Sequence, residues 1–244
     1  MSIYSDLTPW YDQLFPVGEL QADFLIQRLR SAGVRNLLDA GCGTGRHLEI
    51  LADAGFTVAG LEPEEDMAAE ANRKLKGHGK VEVLQLQDAT QVPGAPFDAV
   101  LCLGNTLAHL LDETALTQGL SALTGVLKPG GLFIAQLVHF EKVLRDARDP
   151  FVAKELKDGS TFHRSYDFSQ APQRLRFRLG FENPSIQFAE SFDLRPWTSE
   201  ELIPFFEKFG LNLEELCGDW SGADRHEESP ASIFITRSLP GETL

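Results

Sequence analysis

The chain has 244 residues, 43% of them hydrophobic and 24% charged, with a formal net charge of −14 at pH 7. That length holds one sizeable α/β domain with a modest insertion, and the composition excludes wholesale disorder. So acidic a field repels phosphate backbones, which argues against a nucleic-acid partner and suits a small or cationic ligand.

In chain order, Met1 to Asp6 lacks the basic and apolar regions of a signal peptide, so no export is expected. Two amphipathic segments follow, Tyr4 to Leu14 and Glu19 to Ser31, the second with Leu20, Phe24, Leu25 and Leu29 on one helical face. Tyr4, Trp10, Tyr11 and Phe15 cluster in the first; they are either core or a cover over a ligand. Strand and helix patterns then alternate. Asn36–Ala40, Thr57–Glu62, Val81–Gln87, Phe97–Leu103 and Leu132–Val138 read as strands, and Thr44–Ala54, Glu64–Leu75 and Glu113–Leu127 as helices. The alternation implies a doubly wound, mostly parallel α/β sheet with helices on both faces, whose ligands bind at the carboxyl ends of the strands. Leu132–Val138 is too short to cross a bilayer, so no membrane association is expected. After about residue 149 the period becomes two. Arg174 to Leu179 alternates strictly and Asn183-Pro184 turns before Ile186, Phe188 and Phe192, as in a small antiparallel insert. Thr198 and Glu201 form a capping-box signature for a helix to Phe209. Leu211–Trp220 and Ala231–Arg237 read as two closing strands joined by the polar loop Asp219–Pro230.

The chemistry gathers at the strand ends. Gly41, Gly43 and Gly45 follow the first strand, giving a tight turn that bares peptide groups to a ligand at a helix N-terminus. Glu62 ends the second strand, where a carboxylate can accept both hydroxyls of a ribose, and Asp88 follows the third, where one can receive an adenine amino group. Dinucleotide sites use G-x-G-x-x-G; here the spacing is G-x-G-x-G, with Asp39 two residues before the first glycine. An anion there is poor company for pyrophosphate and suits an amino group or a sulfonium. A nicotinamide-dependent oxidoreductase on a similar sheet is a rival reading that Asp39 and this spacing argue against, and a binding protein without chemistry is a second. Cys42, Cys102 and Cys217 fit neither a disulfide framework nor a metal site, and His47, His78, His163 and His226 lack ligand spacing. No metal and a reducing cytoplasm are expected.

Leu38 to Gly45, Glu62, Asp88 and Lys128-Pro129-Gly130-Gly131, in this order and spacing, resemble the class I S-adenosylmethionine-dependent methyltransferases. The resemblance implies a Rossmann-like seven-stranded sheet closed by a hairpin, and S-adenosylmethionine as cofactor. It implies that Asp39 and the glycine loop hold the methionine part, Glu62 the ribose, and Asp88 with Ala89 the adenine, against which Met67 lies. Tyr11, Ala40, Gly41, Gly43, Pro63, Leu103 and Asn105 complete the expected cofactor-binding set. Cys102 to Leu110 and His139 to Leu144 look like the equivalent stretches of glycine and sarcosine N-methyltransferases. Where those enzymes carry Asn-Tyr-Asp this chain carries His139-Phe140-Glu141, a departure that bears against glycine as the acceptor.

The expected reaction is methyl transfer to a small molecule, at nitrogen rather than oxygen, with the oligomeric state open. His139 and His109 are the candidates for orienting the acceptor or taking its proton, since neutral imidazole does so near pH 7; the alternative is that they are packed. Arg174, Arg176 and Arg178 are either a solvated face or a clamp for a substrate carboxylate. The expected organisation is residues 1–148 for the N-terminal helices and cofactor core, 149–195 for an insert over the active site, and 196–244 for the last helix and closing hairpin.

Overall fold

Proline decides the first element of the chain. A computed structural model describes residues 3–148, 151–156, 158–183 and 187–240. In it the first amphipathic stretch is not one helix: α1 (Ile3–Leu7) and α2 (Tyr11–Leu14) flank a 3-10 turn at Thr8–Trp10 that contains Pro9. Proline has no N–H to continue the α-helical ladder. α3 (Glu19–Ser31) buries Phe24, Leu25 and Leu29, while Leu20, expected on the same face, is 58% exposed.

The alternating region builds β1 (Asn36–Ala40), α4 (Arg46–Asp53), β2 (Thr57–Glu62), α5 (Glu65–Leu75), β3 (Gly79–Val83), β4 (Phe97–Cys102), α6 (Glu113–Gly125) and β5 (Leu127–Val138). Two boundaries differ from expectation. β3 starts earlier and ends at Val83, its register with β2 running from Val58↔Gly79 to Glu62↔Val83; the chain then winds into a 3-10 turn at Leu86–Gln91 that buries Leu86 and Ala89. The Lys128–Gly131 turn lies inside β5. β4 pairs at Phe97↔Leu127 and again at Ala99↔Leu132, so the intervening residues bulge opposite Asp98, with Lys128 Nζ 2.6 Å from Asp98 Oδ1.

After α7 (Phe140–Asp146) come β6 (Lys154–Glu155), β7 (Thr161–Asp167), β8 (Leu175–Glu182) and β9 (Gln187–Leu194), a four-stranded antiparallel sheet. The expected turn at Asn183-Pro184 with Ile186 falls largely outside the described residues. α8 (Ser199–Lys208) begins with the anticipated capping box, Thr198 accepting from the Glu201 N–H and Glu201 from the Thr198 N–H. β10 (Leu211–Cys217) and β11 (Ala231–Ser238) then complete a seven-stranded sheet in the order β3-β2-β1-β4-β5-β11-β10. Strands β1 to β5 pair in parallel, and β11 runs antiparallel to both neighbours.

One face of this sheet buries apolar residues of α3, α4 and α5; the other buries Leu116, Leu120 and Leu123 of α6 with Leu202 and Phe206 of α8. The strand order reverses between β1 and β4, and a crevice opens at that switch point beyond their carboxyl ends. Leu7 and Leu14 pack with Phe162, Leu179 and Phe181 of the antiparallel sheet, so the N-terminal helices bridge the two sheets. No helix among the described residues is long and apolar enough to cross a membrane.

The junction of β1 and α4 depends on Gly45, which is left-handed at φ +74° and whose absent Cβ would stand 2.6 Å from Ala71 Cβ of α5. Gly104 is also left-handed, at φ +66°, but with open space around it. Gly104→Ala should therefore cost only the backbone term of about 1–2 kcal/mol, and Gly45→Ala an additional overpacking cost of about 1–3 kcal/mol. Urea midpoints measure the two; equal shifts would show that α4 does not rest on α5 at this point.

Candidate functional site

Gly41, Gly43 and Gly45 all adopt positive φ, at +77°, +55° and +74°. The turn is pinned to β2, because the Gly41 and Cys42 N–H groups both donate to Leu61 O, at 2.9 and 3.1 Å. Gly41 is required from the far side as well: a Cβ there would lie 2.5 Å from Thr106 Cγ2, in the segment after β4. The Tyr11 ring of α2 covers Gly43, 3.4 Å from where its Cβ would be. Asp12 fastens this helix down, accepting from Thr44 Oγ1 at 2.6 Å and pairing with Lys74 of α5.

Two buried acids lie behind the turn. Glu62, 6% exposed, accepts from Gly43 N at 2.8 Å through one oxygen and from Glu64 N at 3.1 Å through the other. Burial raises its pKa against those two hydrogen bonds. Asp39 is 1% exposed, and its Oδ2 has no hydrogen-bond partner among the described residues. Desolvation, then the charge of Glu62, pushes the Asp39 pKa up to about 7. A buried carboxylate oxygen without a partner is costly unless a cation or donor reaches it.

Both acids line a cavity of ≈ 530 Å³. Gly41, Gly43, Pro63 and Met67 share its floor, and Tyr11 and Leu103 its walls. Tyr4, Phe15, His109, Leu110 and Gln136 complete this part of the lining. Tyr4 Oη and His109 Nε2 are 3.3 Å apart, and Phe192 of β9 stacks on His109 at 5.2 Å between centroids and tilts against Tyr4 at 5.4 Å. Thus α1, the turn after β4 and the antiparallel sheet meet at one point. His109 is exposed on the cavity lining, yet the protein packed around its ring lowers its pKa by desolvation to about 4; desolvation likewise holds the Tyr4 hydroxyl well above the ordinary tyrosine range. Both are neutral at pH 7. Trp220, in the β10–β11 loop, closes another side and packs against Phe24 of α3.

The structure thus brings together Tyr11, Asp39, Gly41, Gly43, Glu62, Pro63, Met67, Leu103 and His109. It does not bring the remaining expected residues to the cavity. Ala40 and Ala89 are fully buried in the core. The 3-10 turn carries Asp88 to its own Gln91, 3.1 Å away, and presents Gln85, Leu86 and Gln87 instead. Asn105, left-handed at φ +71°, spends its Oδ1 on Val138 N at 2.6 Å. His139, 2% exposed, is held between Ser229 O, 3.0 Å from Nδ1, and Arg225 at Nε2, with Arg225 also paired to Glu141. It anchors the β10–β11 loop rather than facing the large cavity. Gln136 and Trp220 went unnoticed as cavity residues in the sequence, where each is an ordinary strand or loop residue.

The residues present fit S-adenosylmethionine: bare peptide groups, a carboxylate placed for ribose hydroxyls, and an unpartnered buried acid for a cationic amino group. A methyltransferase-domain family model matches residues 37–131. A putative methyltransferase of Geobacillus sp. is 31% identical over 96% of this chain and 99% of its own length. Glycine/sarcosine N-methyltransferase of Halorhodospira halochloris is 28% identical over 95% of this chain and 84% of its own. An S-adenosylmethionine-dependent methyltransferase structure from Clostridium acetobutylicum superposes with a TM-score of 0.82 at 18% identity, covering 98% of this chain and all of that one. The chain belongs to the class I S-adenosylmethionine-dependent methyltransferases.

Proposed function

We propose that this enzyme methylates the nitrogen of a small-molecule amine. The observation that carries the reading is the acid-lined cavity itself: Asp39 with its free Oδ2 and Glu62, together with neutral Tyr4, His109 and Gln136. When bound, S-adenosylmethionine supplies an electrophilic methyl group on a sulfonium. Asp39 and the glycine turn would receive its amino-acid end, Glu62 its ribose, and Met67 with Leu86 its base. Tyr4 and His109 would hold the acceptor nitrogen, and neutral His109 would accept a hydrogen bond from it, keeping its lone pair forward. Most of the acceleration then comes from alignment and from the exclusion of water by α1, α2 and the antiparallel sheet. The likeness to an N-methyltransferase along nearly the whole chain supports nitrogen over oxygen.

Glu62→Ala should weaken S-adenosylmethionine binding by about 1–3 kcal/mol in calorimetry, because charged hydrogen bonds to the ribose disappear; unchanged affinity would remove Glu62 from the site. Asp39 titrates near pH 7, and only its ionised form attracts a cationic ligand. Cofactor affinity should accordingly fall as pH drops below about 7 and should lose this acid limb in Asp39→Asn. An identical limb in both proteins would assign the titration elsewhere. His109→Ala should lower kcat at least about tenfold with cofactor affinity preserved, whereas His139→Ala should mainly lower thermal stability, since it frees the loop held by Ser229 and Arg225. The reverse pattern would return the acceptor role to His139.

A further inference from the structure

The charges around the cavity say what kind of amine fits. Its described lining holds four acids, Asp12, Asp39, Glu62 and Glu64, and a single permanent cation, Arg46. Arg46 is already paired with Glu49 of α4, at 2.5 Å. The same lining holds aromatic and apolar Tyr4, Phe15 and Leu110 with neutral His109 and Gln136. Gln136 Oε1 is engaged by Gly104 N at 2.9 Å, so this residue has its amide N–H groups left to offer.

Three arginines on and after the antiparallel sheet are paired elsewhere. Arg176 pairs with Asp193, Arg178 with Asp167 and Arg195 with Glu201. Arg164 sits behind the wall, its guanidinium over the rings of Phe15, Phe151 and Phe162. A carboxylate or phosphate on the acceptor would meet only one guanidinium among the described lining residues, that of Arg46, which already pairs with Glu49, and would add its charge to that of the four acids and of the cofactor's own carboxylate. Anions of that kind are normally held bidentately by arginine, and burying one without a partner costs several kcal/mol.

Resting on the amine reading above, we propose that the acceptor is a primary or secondary amine on an uncharged, partly aromatic or apolar body, and that the chamber rejects amines carrying a carboxylate or phosphate. An approaching ammonium group is drawn in by the acids and the aromatic faces. The position after β5 agrees: His139 is committed to Ser229 and Arg225, and Arg225 to Glu141, so neither cation nor imidazole there is available to an amino-acid carboxylate.

Matched pairs test this. The purified enzyme, saturated with S-adenosylhomocysteine, is dialysed against a mixture of 2-phenylethylamine and phenylalanine, tyramine and tyrosine, glucosamine and glucosamine 6-phosphate, with glycine and sarcosine. The same compounds are then assayed with S-adenosylmethionine, locating the methyl group by mass spectrometry. The expected result is enrichment of the member without the anion, and its preferential methylation, by at least about tenfold. Equal or better retention of the carboxylated or phosphorylated member, or enrichment of neither, overturns the inference. If the charge preference holds but the methyl group appears on oxygen, as on the phenol of tyramine, the nitrogen reading fails while the preference stands; methylated glycine does the opposite.

Discussion

The structure is organised around a buried repulsion. Asp39, the last residue but one of β1, and Glu62, the last of β2, lie at the carboxyl ends of adjacent parallel strands, in register at Asp39↔Gly60 and Ala40↔Leu61, and both carboxylates are buried beside the same cavity. Glu62 is partly compensated by two backbone N–H groups, and that choice also fixes the glycine turn, since one of them belongs to Gly43. Asp39 receives no such help at Oδ2, so its pKa rises to about 7. The unpartnered Asp39 oxygen beside the charge of Glu62 destabilises the empty fold and favours a cation that reaches it. The turn's positive-φ glycines, the Tyr11 ring over Gly43 and the Asp12 contacts to Thr44 and Lys74 all serve to keep that pair in place.

How much of this was written in the sequence depends on how local each demand is. The glycine turn was legible because left-handed backbone at three alternate positions admits little else, and Glu62 was legible because a strand end in a β-α-β unit has a fixed relation to the turn before it. The capping box at Thr198 and Glu201 is local for the same reason. The surroundings of Asp88 were not legible because strand periodicity runs on past Val83; apolar Leu84 and Leu86 fit a strand, while register with β2 ends the pairing earlier. The place of His139 was not legible because its partners, Ser229 and Arg225, come from a loop almost ninety residues further on. The meeting of Tyr4, His109 and Phe192 has no local signature at all, since three separate segments supply one residue each.

That meeting point explains the small second sheet. Leu7 and Leu14 of the N-terminal helices join the core of Phe162, Leu179 and Phe181, and Trp10 Nε1 donates to Asp158 at 3.0 Å. The same helices are tied by Asp12 to the glycine turn and to α5. α1 and α2 therefore act as a strap with one side on the antiparallel sheet and the other on the cofactor turn. A displacement of the strap moves Tyr4 away from His109 and Tyr11 away from Gly43 together, because the two tyrosines lie 6.5 Å apart on consecutive short helices. The break at Pro9 is what permits this. An unbroken helix from Tyr4 to Leu14 would set the two rings by its 3.6-residue period, whereas the 3-10 turn lets one ring reach the acceptor wall while the other covers the bare glycine.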